Sequence, residues 1–470
     1  MSLWTSAEIA AATGGQAHGE FSAGGVTFDS REVLPGDLFI ALKGEATDGH
    51  QFLNKALDRG AAGVLVSEAT GAPHIRVDDT MAALDELANA ARARSDAVRI
   101  GVTGSVGKTG VKEALKAALD RFAPDAVHAS VKSYNNHTGV PLSLARMPAD
   151  ARFGVFEMGM NHSGELAQLT QLVRPHIAIV TWVASAHREF FATEADIARA
   201  KAEIFGGLPE GGIAIIPHDN PHADLLAAAA ADAGARVVRF GLGEGADVRA
   251  EQVVLHPDCS CVTARIGSET LTFKIGMAGQ HWVGNALAVL AGVQAAGGDL
   301  ALAGLALADM NGLPGRGRRM RVPAGPKGNR GQAVIIDEAY NANPASMAAS
   351  LAVLREVVPA RSGRRLAVLG SMKELGGLSD EFHAGLAPHI TGARVGIAVL
   401  VGAEMKPLAA ALRRSIDVRY VADADAALDE ITRLIAADDV LLVKGSNLIG
   451  LARIIDTLAE RQDRFGEPLS

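Results

Sequence analysis

Gly104-Ser105-Val106-Gly107-Lys108-Thr109 follows the apolar stretch Val98–Thr103 and leads directly into a helical pattern. That order suits a polyphosphate. Phosphate oxygens need backbone N–H groups at close range, which glycines permit, together with the positive end of a helix. Lys108 would then neutralise the terminal phosphates while the Thr109 hydroxyl faces magnesium. The general phosphate-loop pattern has glycine five residues before Gly107, where this chain has Val102. A glycine-rich strand-to-helix turn with an exposed lysine is the competing reading of the same residues.

Two further strands end in useful side chains. RFGVFEM delivers Glu157, and HIAIVTWV is followed by a loop carrying His187. In parallel sheets ligands collect beyond the carboxyl ends of the strands. A carboxylate and an imidazole there can position magnesium, which takes few protein ligands and keeps water or phosphate oxygens. Each also has an ordinary reading, as a solvated or capping glutamate and as a loop histidine. Lys201 lies on a helix that Thr193 can cap, with Asp196 in the capping-box position; its spacing alone reads as a solvated helix lysine.

Three blocks must hold these residues in place. Residues 1 to about 85 mix short strands, near 38–42 and 63–67, with Gly-rich turns, and Asp79-Thr80 predicts the cap of a helix through ALDELANAARARS. From Val98, apolar runs alternate with helical ones: VRIGVT, GKTGVKEALKAAL, RFGVFEM, GELAQLTQLV, HIAIVTWV and TEADIARAKAEIF. This predicts a parallel sheet covered by helices. Residues 251–277 alternate like an antiparallel excursion, with a helix predicted from Gly284. LPGRGRRMRVPAGPKGNRG reads as a linker, after which QAVIID, RRLAVLG, VGIAVLV and VLLVKG predict another α/β unit. At roughly 150 residues per domain, 470 residues give three domains.

Composition narrows the function. Hydrophobic residues at 48% and charged residues at 21% exclude wholesale disorder. A formal charge of -8 disfavours a general nucleic-acid backbone binder, so any anion site is local. Cys259 and Cys261 lie two apart in the alternating stretch, so they are expected to share a strand face, and one such pair cannot staple a chain this long. That suits a reducing cytoplasm. No apolar run reaches the roughly 18 to 20 residues of a membrane helix, and MSLWTSAEIAAATGG lacks a basic leader before an apolar core. A cytoplasmic protein without nucleic-acid or membrane partners is expected.

Over nearly its whole length the chain resembles the Mur ligases of bacterial cell-wall synthesis. The likeness rests on FDSREVLPGDLFIALKGEATDGHQFL, TGSVGKT, SYNNHTGVPLSL, FEMGMNHSGEL, the Ala-Lys-Ala-Glu-Ile around Lys201, HWVGNALAVLAG, IIDEAYNANPASM, LGSMKELG and VLLVKGS, in that order. YNANP, and SYNN followed by GVPLSL, resemble the D-alanyl-D-alanine-adding branch more than its siblings. The resemblance implies a three-domain α/β fold: a small N-terminal uridine-nucleotide domain (1–90), a central P-loop-type parallel-sheet domain that binds ATP (91–314), and a Rossmann-like C-terminal ligase domain (315–470).

It also implies roles. Gly104 to Thr109 would hold the ATP phosphates, and Thr109, Glu157 and His187 would stand near magnesium. Lys201 matches the family lysine that is carbamylated and helps hold a second Mg2+. Asn285, Arg316, Asp337, Tyr340 and Asn341 would contact ATP, with Lys108, His187, Lys201 and Arg316 as the catalytic set. Ser30, Arg31 and Lys43 would take the uridine end of the substrate, Asn135 and Asn136 its muramoyl-peptide region, and Lys444 and Ser446 the acceptor. Two departures stand out: Gly110 replaces the usual second hydroxyl residue, and KGSNLIGL lacks the usual basic residue after KGS.

The implied reaction moves the γ-phosphoryl group of ATP to the carboxylate of UDP-N-acetylmuramoyl-tripeptide. The amine of D-alanyl-D-alanine then attacks the acyl phosphate, and phosphate leaves. A third domain closing about a hinge near Arg316 would exclude water and bring Asp337 and Tyr340 to the nucleotide. A monomer is expected. Two alternatives stay open: a related ligase adding one amino acid to a muramoyl peptide, or glutamate to a folate, and a P-loop switch without ligation chemistry.

Overall fold

The computed structural model describes residues 2–44, 47–324, 331–361 and 363–464. Three large sheets follow one another along the chain, giving an α/β architecture of three sheet-and-helix layers.

The first sheet has five strands in the order Gln16–His18, His74–Arg76, Gly63–Val66, Asp37–Ile40, Gly25–Thr27, parallel except for the Gln16–His18 edge. Helix Thr80–Ala93 leaves it, capped as expected by the Asp79 side chain, which accepts from the amides of Met81 and Ala82. This unit shares a core with the next: Leu142 and Ala145 of the helix Gly139–Ala145 pack with Trp4, Ile9 and Leu84. Trp4 Nε1 donates to Ala145 O at 2.8 Å, and the Arg94 guanidinium lies 3.6 Å above the same indole.

The central sheet has nine strands. Its parallel part runs Val127–Ala129, Phe153–Glu157, Val98–Thr103, Ile177–Val180, Ile213–Pro217, Arg236–Gly241, Val248–Leu255, and the strands Ser260–Ile266 and Glu269–Ile275 add on antiparallel. The register matters for function. Glu157 pairs with Val102, and Val180 with Thr103, so three strand ends open on one rim. These strands are buried on both faces, as parallel strands covered by helices must be.

The third sheet runs Arg318–Ala324, Gly331–Glu338, Val440–Lys444, Arg365–Gly370, Ile397–Val401, Asp417–Val421, with only the first pair antiparallel.

The structure corrects four readings. The linker is largely a strand, because Arg318–Ala324 pairs along its whole length with Gly331–Glu338; residues 325–330 lie outside the described residues. The helix read from Gly284 starts at Gln280, directly after Gly279, whose φ of 103° ends the preceding segment. Cys259 precedes the strand that contains Cys261, so the two do not share a strand face; both are free thiols. Ile213–Pro217, Arg236–Gly241 and Asp417–Val421 are strands that the sequence pattern passed over. No described helix is long and apolar enough to cross a membrane.

Candidate nucleotide and metal site

At the end of Val98–Thr103 the chain turns through Gly104 and Gly107, and helix Lys108–Phe122 begins. Neither glycine has room for a side chain. A Cβ on Gly104 would stand 2.0 Å from Thr181 Oγ1, and one on Gly107, at φ 87°, 2.7 Å from Asn285 Oδ1. The loop is thus pressed between a neighbouring strand end and the helix Gln280–Ala295 that carries Asn285. Ser105 ties it to the next loop, its Oγ donating to Ala184 O at 2.9 Å and accepting from Ala184 N at 3.0 Å. Lys108 Nζ bends back to Gly104 O at 2.6 Å. Burial pushes its pKa below the ordinary lysine value, Glu157 opposes the shift and Arg316 adds to it. A bound polyanion would relieve both penalties.

Beside this loop a polar chain crosses three elements. Glu157, 1% exposed, accepts from Thr109 Oγ1 at 2.8 Å and from Asn135 Nδ2 at 2.7 Å. Ser133 Oγ is 3.3 Å from Thr109 Oγ1 and accepts from an Arg316 guanidinium nitrogen at 3.1 Å. Arg316 also lies 4.0 Å over the Tyr340 ring. A side chain from the approach to the third sheet therefore reaches the start of the phosphate-loop helix.

Lys201 sits on helix Glu194–Ala202, whose capping box of Thr193 and Asp196 is present as expected. The solvated reading of Lys201 is wrong: it is 1% exposed. Burial, and next the nearby charge of Lys108, hold its pKa well below the ordinary lysine value. Among the described residues it has neither an ion pair nor a hydrogen-bond acceptor at its amine.

His187 is held at φ 57° in a loop facing the third sheet. Its Nδ1 donates to Glu374 Oε2 at 2.5 Å, and its Nε2 has no hydrogen-bond partner among the described residues. The Glu189 amide donates to Glu374 O at 3.0 Å, and Glu374 itself has φ 62°. The imidazole beside it holds the Glu374 carboxyl below the usual carboxylate range.

The other expected residues spread across the fold. Asp337 is 2% exposed, and its carboxylate accepts from the Gly315 amide at 2.8 Å and from Arg318 at 3.3 Å, so it holds the approach to Arg316 in place. Asn341 Oδ1 accepts from the neighbouring Ala342 amide. Lys444, 3% exposed, donates to Asn341 O at 3.0 Å and pairs with Glu338 at 3.4 Å; burial lowers its pKa against the pull of Glu338. Ser446 is buried at the end of the same strand. Asn136 Oδ1 accepts from the Gly139 amide at 3.0 Å, a turn-forming role at the start of the following helix.

On the first sheet's side Ser30 is buried, Lys43 is exposed, and Arg31 is exposed in an ion pair with Asp29. These residues are not in the phosphate-loop cluster. The neighbouring Glu32 reaches toward it, pairing with Lys132 and accepting from Tyr134 Oη at 3.1 Å on the loop that carries Ser133 and Asn135.

Sequence reasoning missed Ser133, Glu374 and Lys112. Lys112 is fully buried and donates to the carbonyls of Ser130, at 2.7 Å, and Lys132, at 3.0 Å, which fixes the loop bearing Ser133. Its position one turn after Lys108 was the available signal. Glu374 lies in the quoted LGSMKELG motif, but its partner is 187 residues away.

Three family models match in chain order: a Mur ligase family catalytic domain over residues 23–92, a Mur ligase middle domain over 102–293, and a Mur ligase glutamate ligase domain over 318–447. The UDP-N-acetylmuramoyl-tripeptide--D-alanyl-D-alanine ligase of Rickettsia prowazekii is 32% identical over 97% of this chain and 99% of its own length. That of Escherichia coli K12 is 34% identical over 93% of each. Among solved structures, MurF from Acinetobacter baumannii superposes with a TM-score of 0.82 at 28% identity, covering 97% of this chain and 99% of that one. MurF from Thermotoga maritima in complex with ADP gives 0.74 at 26% identity, covering 94% and 98%.

Proposed function

The chain belongs to the Mur ligase family, and we propose that it is the ATP-dependent, ADP-forming ligase that joins D-alanyl-D-alanine to the carboxylate of UDP-N-acetylmuramoyl-tripeptide in peptidoglycan precursor synthesis. Its substrates are small molecules, and its cofactors are ATP and Mg2+. Residues 1–90, 91–314 and 315–470 are assigned as uridine-nucleotide, ATP and acceptor-side domains.

A carboxylate does not condense with an amine at neutral pH because oxide is not a leaving group. Phosphorylation makes it displaceable, after which the amine attacks and phosphate departs. The chain's task is to bring a triphosphate and a carboxylate together against their repulsion and to hold them in line. The observation that carries the proposal is the chain of contacts Arg316–Ser133–Thr109–Glu157 beside Lys108, which sets two cations and a buried carboxylate where the two anions would meet.

Magnesium fits these residues. Glu157 is a buried carboxylate whose hydrogen bonds come from a hydroxyl and an amide, both neutral, with Lys108 near but not ion-paired to it, so it can still take a cation directly. Thr109, Glu157 and His187 Nε2 would hold it, and the ion would offset phosphate charge. Burial and the charge of Lys108 favour the neutral amine of Lys201. A neutral amine adds CO2 and releases one N–H proton to solvent, and the resulting carbamate would supply an anionic oxygen ligand to a second ion. Asn285, Tyr340 and Asn341 are assigned to ATP, and Asp337 acts through the loop it holds. Ser30, Arg31 and Lys43 are assigned to the uridine end, Asn135 and Asn136 to the muramoyl peptide, and Lys444 and Ser446 to the acceptor.

The test is phosphate release with UDP-muramoyl dipeptide or tripeptide, each with and without D-alanyl-D-alanine. Stimulation by the tripeptide with D-alanyl-D-alanine alone is expected. Equal stimulation by the dipeptide with D-alanyl-D-alanine, or by the tripeptide without it, would reject the assignment.

A further inference from the structure

At the end of the central sheet away from the phosphate loop, the connector from helix Thr80–Ala93 into Val98–Thr103 borders a cavity of about 440 Å3. Arg92, Ser95, Asp96, Arg99, Arg174 and His176 line it. Arg99 and Thr103 lie four residues apart on one strand, roughly 13 Å, so this is a separate place from the nucleotide site.

Its donors outnumber its acceptors. Among the described residues none of the three arginines forms an ion pair with a carboxylate, although Asp96 is on the wall. Arg92 donates to Leu172 O and to Gln171 O, the latter at 3.1 Å, while Arg99 donates from Nε to Val173 O at 2.9 Å and Arg174 O at 3.2 Å and from Nη1 to Ala97 O at 3.3 Å. Most of these carbonyls end the helix Glu165–Val173, and guanidinium N–H groups of both Arg99 and Arg92 remain without a carbonyl partner among the described residues. The Arg174 side chain has no hydrogen-bond partner among the described residues, and its backbone is left-handed at φ 45°.

His176 makes the imbalance specific. The Arg99 backbone N–H can only donate, so His176 Nδ1 accepts it, at 3.1 Å, and the ring proton must sit on Nε2. Nε2 then faces a guanidinium nitrogen of Arg99 at 3.4 Å, donor against donor. Burial, and next the Arg99 charge, keep the imidazole below its usual range, so the ring stays neutral and the conflict persists. An oxyanion between the two groups would accept from both.

We propose that this cavity is a binding site for a phosphate group, held by His176 Nε2–H and the guanidinium groups of Arg99, Arg92 and Arg174. Occupancy would join the end of the helix carrying Arg92 to the base of the central sheet at Arg174 and His176. The chemistry is shared by free phosphate and by a phospholipid headgroup.

The full chain, its phosphate loop filled by saturating ADP and magnesium, is titrated with orthophosphate and, separately, with phosphatidylglycerol vesicles. Binding is read by calorimetry and by the 15N imidazole signal of His176, assigned through His176→Gln. Saturable orthophosphate binding is expected, with a moved Nε2 signal and binding at least tenfold weaker in Arg174→Gln, whose backbone demand is the same, and in Arg92→Gln. ATP turnover should be unchanged in both variants. A response to vesicles alone would assign the same donors to a headgroup. Binding of wild-type strength in both variants, or no response to either probe, would overturn the site and leave the arginines as caps of the helix Glu165–Val173.

Discussion

Gly110 stands where the resemblance leads one to expect a second hydroxyl residue, and its neighbour supplies a packing reason. A Cβ there would stand 2.9 Å from Cη2 of Trp282, a ring only 6% exposed and without freedom to yield. The second hydroxyl is excluded by packing, and Ser133 puts a hydroxyl 3.3 Å from that of Thr109 from another loop. Gly110→Ser should therefore cost about 1–3 kcal/mol in urea unfolding, as overpacking does, and Trp282→Leu in the same chain should recover part of the loss. A Gly110→Ser chain as stable as the parent would refute the packing account. Lys108→Ala should abolish ATP turnover while uridine-nucleotide binding, followed by calorimetry, stays within twofold. Lys201→Ala should be inactive and partly rescued by short-chain carboxylates; wild-type activity without them would remove Lys201 from the site. The placement of Lys108 and Thr109 at a strand-to-helix turn was legible in the sequence because that turn is local. The burial of Lys201 was not, since helical spacing says nothing about what packs on that face.

Elements were legible where period and punctuation agree. Thr193 with Asp196 and Asp79 with its two amides cap the helices that the sequence assigned to them, because a cap is a contact over three residues. Arg318–Ala324 was hidden, because an edge strand with alternate arginines and a proline looks like a linker until its partner is known. The short strand Val127–Ala129 carries a testable element-level contact. His128 Nε2 donates to Ser143 O at 2.6 Å and so joins this edge to the helix Gly139–Ala145. Burial lowers its pKa from 6.5 to about 4. The folded value lies below the unfolded one, so the stabilisation is complete above about pH 6.5 and is lost as pH falls toward 4. At 1.36 kcal/mol per unit the ceiling is about 3 kcal/mol. Thermal unfolding followed from pH 7 to 4 should show this slope, and His128→Gln should flatten it; parallel curves would assign the acid sensitivity elsewhere.

At the scale of the molecule the two interfaces of the central sheet differ in kind. The first sheet shares an apolar core with it through Trp4, Leu142 and Ala145, so these two parts should move together. The third sheet meets it through polar contacts, Arg316 to Ser133, Asn343 to Ser105 at 3.4 Å, and Glu374 to His187 and Glu189, with, among the described residues, only Ala278 and Gly279 of the central unit packing on its apolar core. Contacts of that kind can open and close at small cost. Gly315 and Gly317 are bonded to Asp337, so the segment around Arg316 is tied to the third sheet. The polar contacts to the third sheet were not readable from one sequence, since each joins residues more than 180 apart. The Glu374–His187 bond has a further consequence. It fixes the imidazole with Nε2 free, so the proposed magnesium ligand is oriented only while the third sheet is docked. Glu374→Ala should raise the magnesium concentration for half-maximal activity by roughly ten- to hundredfold, as the loss of a group that orients a metal-binding histidine does. Solution scattering with ADP and magnesium should show a more open chain than the parent, while ADP binding to the phosphate loop itself changes little. Glu374→Gln, which can still accept the Nδ1 proton, should recover most of the compaction but less of the magnesium response. Unchanged magnesium dependence and unchanged compaction in Glu374→Ala would mean that the bond is incidental and that the third sheet is held by Arg316 and Asn343 alone.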